Sequence, residues 1–112
     1  MTSHQQSVVW ILVTCESQDE AEVIGVALLG KRLIGCYDVL PRDAAGYFWP
    51  PQSGQVERKA GVLLAVTTFA ERYDDVEDMV KALHGSSVPF IASVAFDRVS
   101  DDYRHWLAGE VR

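Results

Sequence analysis

Ser7-Val8-Val9-Trp10-Ile11-Leu12-Val13-Thr14, followed shortly by Ser17-Gln18-Asp19-Glu20, reads as a strand handing the chain to a helix. The first segment is β-rich and has no polar alternation, so neither of its faces is suited to water; a central strand covered on both sides fits it. The second has the Ser-x-x-Glu form of a capping box. The Ser17 oxygen accepts from an early helical amide while Glu20 reaches back to the cap amide. Behind it Ala21, Ile24, Ala27 and Leu28 recur at helical spacing, which predicts a helix to about Arg32 with Gly35 as its terminator.

The remaining chain repeats this alternation. Cys36 to Leu40 and Gly46 to Trp49 read as extended segments bent around Pro41-Arg42-Asp43. Pro50-Pro51-Gln52-Ser53-Gly54 must be a protruding turn, because consecutive prolines cannot donate to a ladder. A long strand is expected from about Gln55 to Thr68, and Thr68-Phe69-Ala70-Glu71 reads as a second capping box. Tyr73, Val76, Met79, Val80 and Leu83 then form a narrow apolar stripe on a helix closed by Gly85. Phe90 to Phe96 is a final strand, and Ser100-Asp101-Asp102 caps a short helix with Tyr103, Trp106 and Leu107 on one face.

The order β-α-β-β-α-β plus a terminal helix predicts an α+β fold, a ferredoxin-like sandwich of four antiparallel strands with two helices on one face. Two helices cover one face only, while several strands are apolar on both. The open face therefore calls for a partner, and self-association is the usual solution.

At 112 residues the chain fits one domain, and a domain of this size buries roughly 65% of its unfolded surface. Residues 1–6 read as an unpaired tail and residues 7–112 as a single domain. A content of 48% hydrophobic and 23% charged residues is that of a globular protein, and a net charge of −6 with no basic stripe argues against nucleic acid as a partner. No apolar run reaches membrane-spanning length. Without a signal-like N-terminus, Cys15 and Cys36 fit a reducing compartment, so a cytoplasmic location is expected.

Several segments, taken in order, resemble the CutA divalent-ion-tolerance family. Val8 to Thr14 with the acidic helix start, Lys31-Arg32-Leu33-Ile34-Gly35-Cys36, Tyr47-Phe48-Trp49, Thr67-Thr68, His84, Val88-Pro89 and Tyr103-Arg104-His105-Trp106-Leu107 are similar to its succession of motifs from residue 7 to 108. The resemblance implies a homotrimer of ferredoxin-like subunits, related in architecture to the PII signalling proteins, with clefts between subunits and a role in tolerance of copper and other divalent ions. The chain also departs from the pattern. The loop after Trp49 is longer and lacks the family's lysine, and Val66 stands where a lysine precedes Thr-Thr. His84 is followed by Gly85-Ser86-Ser87 instead of Pro-Tyr, and Pro89 by Phe90 instead of Glu.

Cys36 and His84 are the donors nominated for a copper or zinc ion, since thiolate and imidazole are the ligands such ions prefer. A third ligand would have to come from a neighbouring subunit. The competing reading makes Cys36 a small buried apolar residue and His84 a helix C-terminal cap whose charge meets the helix dipole. Cys15, with Glu16 beside it, reads as inert. Tyr47, Trp49 and Trp106 line a cleft and stack on a flat ligand, or fill an interface. Arg32 binds an anionic ligand or pairs with a carboxylate.

Gly25 to Arg32 nearly spells a phosphate-binding loop but places Arg32 at the Ser/Thr position and falls at a helix end. No hydrolase or zinc-protease motif occurs, and the acids gather on helix surfaces, so an enzyme is not expected. The expectation is a CutA-like trimer binding a metal ion or small ligand near the subunit interface. The alternative is a PII-like small-metabolite sensor or assembly module with no metal role.

Overall fold

The computed structural model describes residues 7–112; the predicted tail, residues 1–6, lies outside the described residues. Strand β1 (Val8–Cys15) leads into helix α1 (Gln18–Gly30), then β2 (Cys36–Arg42), β3 (Gly46–Phe48), β4 (Val56–Arg58) and β5 (Gly61–Phe69). A single 3-10 turn precedes helix α2 (Tyr73–Leu83), followed by β6 (Ile91–Ala95) and helix α3 (Asp101–Glu110). The main sheet has the order β2-β5-β1-β6 with every pair antiparallel, which is the split β-α-β arrangement expected.

The central pair β1 and β5 runs in register from Val8 opposite Phe69 to Cys15 opposite Val62. Alternate residues Val9, Ile11, Val13 and Cys15 of β1 join Leu64 and Val66 of β5 beneath α1 and α2. The helices contribute Ala21, Ile24 and Leu28 from α1 and Val76 and Val80 from α2. Full burial of each large aliphatic side chain here contributes about 1.5–3 kcal/mol.

Five local expectations are revised. Helix α1 stops at Gly30, with Lys31 as C-cap and Arg32 in the left-handed region at φ 57°. Gly35 is therefore not its terminator. Its role is packing: a Cβ there would lie 2.3 Å from Leu107 Cδ1. The long returning strand is broken into β4 and β5, because Asp43, Ala44 and Ala45 on one side face only Lys59 and Ala60 on the other, a bulge in the hairpin. Thr68 does not cap the second helix. It ends up inside β5, where its hydroxyl donates to the Leu33 carbonyl at 2.6 Å, and the turn after Phe69 starts without a side-chain cap.

The fifth revision concerns the second face of the sheet. Val8 and Phe69 sit opposite each other on the face away from α1 and α2, and Leu107 of α3 packs on both. Helix α3, its first turn capped by the Ser100 oxygen as expected, thus covers one end of that face. The rest stays apolar and uncovered within one chain. Trp10, Leu12, Leu40, Leu63 and Val94 alternate outward on four neighbouring strands, with Leu40 36% and Val94 48% exposed and Phe96 against the edge of Trp10.

The packing at Gly35 makes a testable difference between glycines. Gly35→Ala should lower the chemical-denaturation stability by about 1–3 kcal/mol through overpacking against Leu107. Gly46→Ala, where nothing lies within 4 Å of the added Cβ, should leave it nearly unchanged. Equal midpoints for the two variants would contradict the close approach of α3.

Candidate functional site

A cleft of about 770 Å³ opens between the β3–β4 ribbon and the segment from His84 to Phe90, with the C-terminal end of β1 as its floor. Tyr47, Phe48 and Trp49 of the ribbon, Phe90 opposite, and Cys15 and His84 below are part of its lining.

The floor is built by three chain segments that meet only after folding. Cys15 is the last residue of β1, and the strand's alternation turns its thiol toward the helices, 2% exposed. Glu20 lies in the first turn of α1, held there by the capping box: Ser17 Oγ accepts from the Glu20 amide at 3.1 Å. Its carboxylate reaches back as expected, but to the Glu16 amide (2.9 Å) instead of the cap amide, and its second oxygen accepts from Gly85 N–H at 2.8 Å. His84 is the C-cap residue of α2, its backbone N–H bonded to the Val80 carbonyl and its side chain 3% exposed.

The imidazole's partners define its state. The Thr14 carbonyl, 2.6 Å from Nε2, can only accept, so Nε2 carries a proton. The Ser86 N–H, 3.0 Å from Nδ1, can only donate, so Nδ1 presents its lone pair. Both ring nitrogens are thus engaged and the ring is anchored to β1, with His84 at the C-cap position of α2 that the competing reading gave it. Nδ1 faces the Glu20 carboxylate at 3.9 Å.

One ligand atom each from Cys15, Glu20 and His84 falls within 4.8 Å of the others. Burial raises the Cys15 thiol pKa most, Glu20 adds to the rise and Arg42 partly opposes it, so the thiol is pushed up to about 12. Burial also works to raise Glu20, but the Glu16 and Gly85 amides that donate to its carboxylate oppose this, and the carboxyl is held below its ordinary value. The floor thus brings together a protonated thiol, an imidazole whose Nδ1 accepts from Ser86 N–H, and a carboxylate. This mixed soft, borderline and hard donor set suits zinc or copper once the thiol proton is displaced.

Of the residues nominated from sequence, Cys36 and His84 do not meet within one chain. Cys36 pairs with Thr67 beside Trp10 at one end of the sheet, its Sγ 3.3 Å from Tyr103 Oη. His84 stands at Thr14, four residues along β1, or about 13 Å. Tyr47 and Trp49 do share the cleft with His84. Arg32 and Trp106 line a separate cavity of about 370 Å³. There Arg32 Nη1 donates to the Glu110 carbonyl oxygen (3.0 Å) and to its carboxylate (3.2 Å), so Arg32 fastens the end of α3. Trp106 lies beside Tyr103 with ring centroids 5.4 Å apart.

Sequence reasoning missed Cys15 and Glu20. Cys15 looked inert beside Glu16, and Glu20 was fully explained as a capping residue. The available signal was their closeness to each other at the end of a central strand; their closeness to His84 has no local trace.

The sequence matches the family profile of the CutA1 divalent ion tolerance protein over residues 9–110. The divalent-cation tolerance protein CutA of Archaeoglobus fulgidus is 31% identical over 98 residues, 88% of this chain and 92% of that protein. CutA of Thermus thermophilus is likewise 31% identical, over 87% of this chain and 91% of its own length. The solved A. fulgidus structure, described as a periplasmic divalent cation tolerance protein, superimposes with a TM-score of 0.88 at 28% identity, covering 94% of this chain and 99% of that one. The T. thermophilus structure gives 0.86 at 28%, with the same coverage. With the profile spanning nearly the whole described fold, this chain belongs to the CutA1 divalent ion tolerance family.

Proposed function

We propose that this protein serves divalent-cation tolerance by binding a copper or zinc ion at Cys15, Glu20 and His84, as a homotrimer whose subunits cover one another's open sheet faces. The observation that carries the metal reading is the meeting of thiol, carboxylate and imidazole within 4.8 Å at the floor of a cleft. Ser86 N–H would surrender His84 Nδ1 to the ion, and the Thr14 carbonyl would keep the ring oriented through Nε2, the outer hydrogen bond that metal-bound histidines usually have. The role is binding and not catalysis: a buried thiol held near a pKa of 12 is a poor nucleophile but a good ligand for an ion that displaces its proton. Cys36, placed against Tyr103, takes no part within one subunit.

The trimer reading rests on the apolar face left by α3, where Leu40, Val94 and Phe96 are exposed in the single chain. A second reading, a PII-like small-metabolite sensor without a metal role, draws on the aromatic lining of the cleft, Tyr47 and Trp49. Among the described residues no helix is long and apolar enough to cross a membrane. Two free cysteines support a reducing, cytoplasmic setting.

Zinc titration by calorimetry should show Cys15→Ser, Glu20→Gln and His84→Gln each weakening binding by at least about tenfold. Cys36→Ser should match the wild type; a loss there equal to that of Cys15→Ser would move the site to a subunit boundary. Because the Cys15 thiol is protonated at neutral pH, each ion bound releases its proton. Affinity should therefore rise about tenfold per pH unit between about pH 7 and 8, and a flat profile would exclude the thiol as ligand. Light scattering should give a mass near three times 12.4 kDa, and a stable single-chain species at micromolar concentration would refute the assembly.

A further inference from the structure

Among the described residues, one cation in the cleft has no hydrogen-bond or ion-pair partner. Arg42, at the end of β2, is part of the lining, and its Nε is buried with no hydrogen bond. Among the described residues no carboxylate lies in ion-pair reach of it. The lining's second cation, Lys59, is already taken by Glu16 at 3.3 Å. The guanidinium passes over Gly61, its register partner: a Cβ there would come within 3.3 Å of Nη2 and 2.6 Å of the Cys15 carbonyl oxygen. The absence of a side chain at Gly61 thus makes room for Arg42 beside the floor.

A planar guanidinium left unpaired at a partly buried site is expensive unless something with matching acceptors arrives, and carboxylate and phosphate oxygens match its fork. Around it the cleft is walled by Tyr47, Phe48, Trp49 and Phe90, which offer flat apolar surfaces. The volume, about 770 Å³, is that of a small-molecule site. Arg32, the cation nominated from sequence for an anion, is engaged by Glu110 in the other cavity.

The geometry points to a second ligand class for this cleft: a small planar molecule carrying one carboxylate or phosphate group, the anion seated on Arg42 and the flat body against the ribbon aromatics. The inference rests on the cleft as a small-molecule site and not on the metal. Glu57, also in the lining, disfavours a multiply charged ligand and favours a single anionic head. Arg42 is a binding residue that determines charge preference; the aromatics supply affinity without regard to charge.

Naphthoate, naphthyl phosphate and naphthol, titrated by calorimetry into the full-length assembly with a chelator present, separate the contributions. Naphthoate or naphthyl phosphate should bind at least about tenfold tighter than naphthol, and the stronger of the two identifies the head group. Arg42→Met should bring that probe down to the naphthol level, and Arg42→Lys should retain part of the preference as a point charge without the fork. Equal binding of all three probes by the wild type, or an unchanged preference in Arg42→Met, overturns the role of Arg42. No binding of any probe at millimolar concentration overturns the cleft reading as well. A change of solution mass in Arg42→Met also overturns the inference, because it would assign the missing carboxylate to a neighbouring subunit.

Discussion

Strands β1 and β5 lie in the middle of the sheet and are apolar on both faces, and covering those two faces is the constraint that organises the rest of the molecule. Helices α1 and α2 satisfy one face with a stripe each. The other face receives only α3, and only at the Val8–Phe69 end, where Gly35 lets Leu107 approach the loop before β2. What remains, among the described residues, is a sheet surface with Leu40 and Val94 exposed and Leu12 and Leu63 half-buried between them. An apolar surface of that extent is unfavourable in water and favours association. The same two strands thus set both the internal core and the pressure to assemble.

The end of β1 is where this apolar strand turns polar, and three functional groups collect there. Strand alternation turns Cys15 inward, the capping box turns Glu20 back toward the strand, and the end of α2 delivers His84 onto the Thr14 carbonyl. Both carboxylate oxygens of Glu20 and both ring nitrogens of His84 have protein partners, so the cluster acts as a clamp between β1, α1 and α2. Only one of those bonds, from Ser86 to Nδ1, would have to open for an ion to enter. Beside it Gly85, standing where the CutA pattern has proline, supplies the N–H that Glu20 accepts, which a proline there would remove. Structural anchoring and ion binding are therefore compatible uses of one set of side chains.

The aromatic ribbon brings a different chemistry to the same place. Extension of the β2–β5 hairpin past its bulge carries Tyr47 and Trp49 over the floor, while Arg42, at the root of the ribbon, meets no carboxylate among the described residues. The thiol–carboxylate–imidazole floor and the cation under aromatic walls are built by different strands, Cys15 ending β1 and Arg42 ending β2 with β5 between them. Their neighbourhood follows from the hairpin's geometry alone.

The element order, the sheet's two-sided apolarity, the first capping box and the Ser100 cap were all legible in the residues themselves, because periodicity and capping are properties of neighbours in sequence. Tyr47 and Trp49 were read with Trp106 as one aromatic lining and His84 with Cys36 as one donor pair, whereas within one chain Tyr47 and Trp49 share their cleft with His84, and Trp106 lines the other cavity. Other assignments failed for a common reason. Thr68 has the form of a helix cap, but the Leu33 carbonyl, thirty-five residues away, competes for its hydroxyl and wins. Of the two readings of Arg32, anion receptor or partner of a carboxylate, only the fold chooses, by bringing Glu110 onto it. Cys15 and Glu20 each had a sufficient local explanation, and only the return of α2 to the end of β1 makes them a donor set with His84. Local order is encoded by spacing along the chain, whereas a ligand set depends on which distant side chains the packed helices and strands bring within a few ångströms of each other.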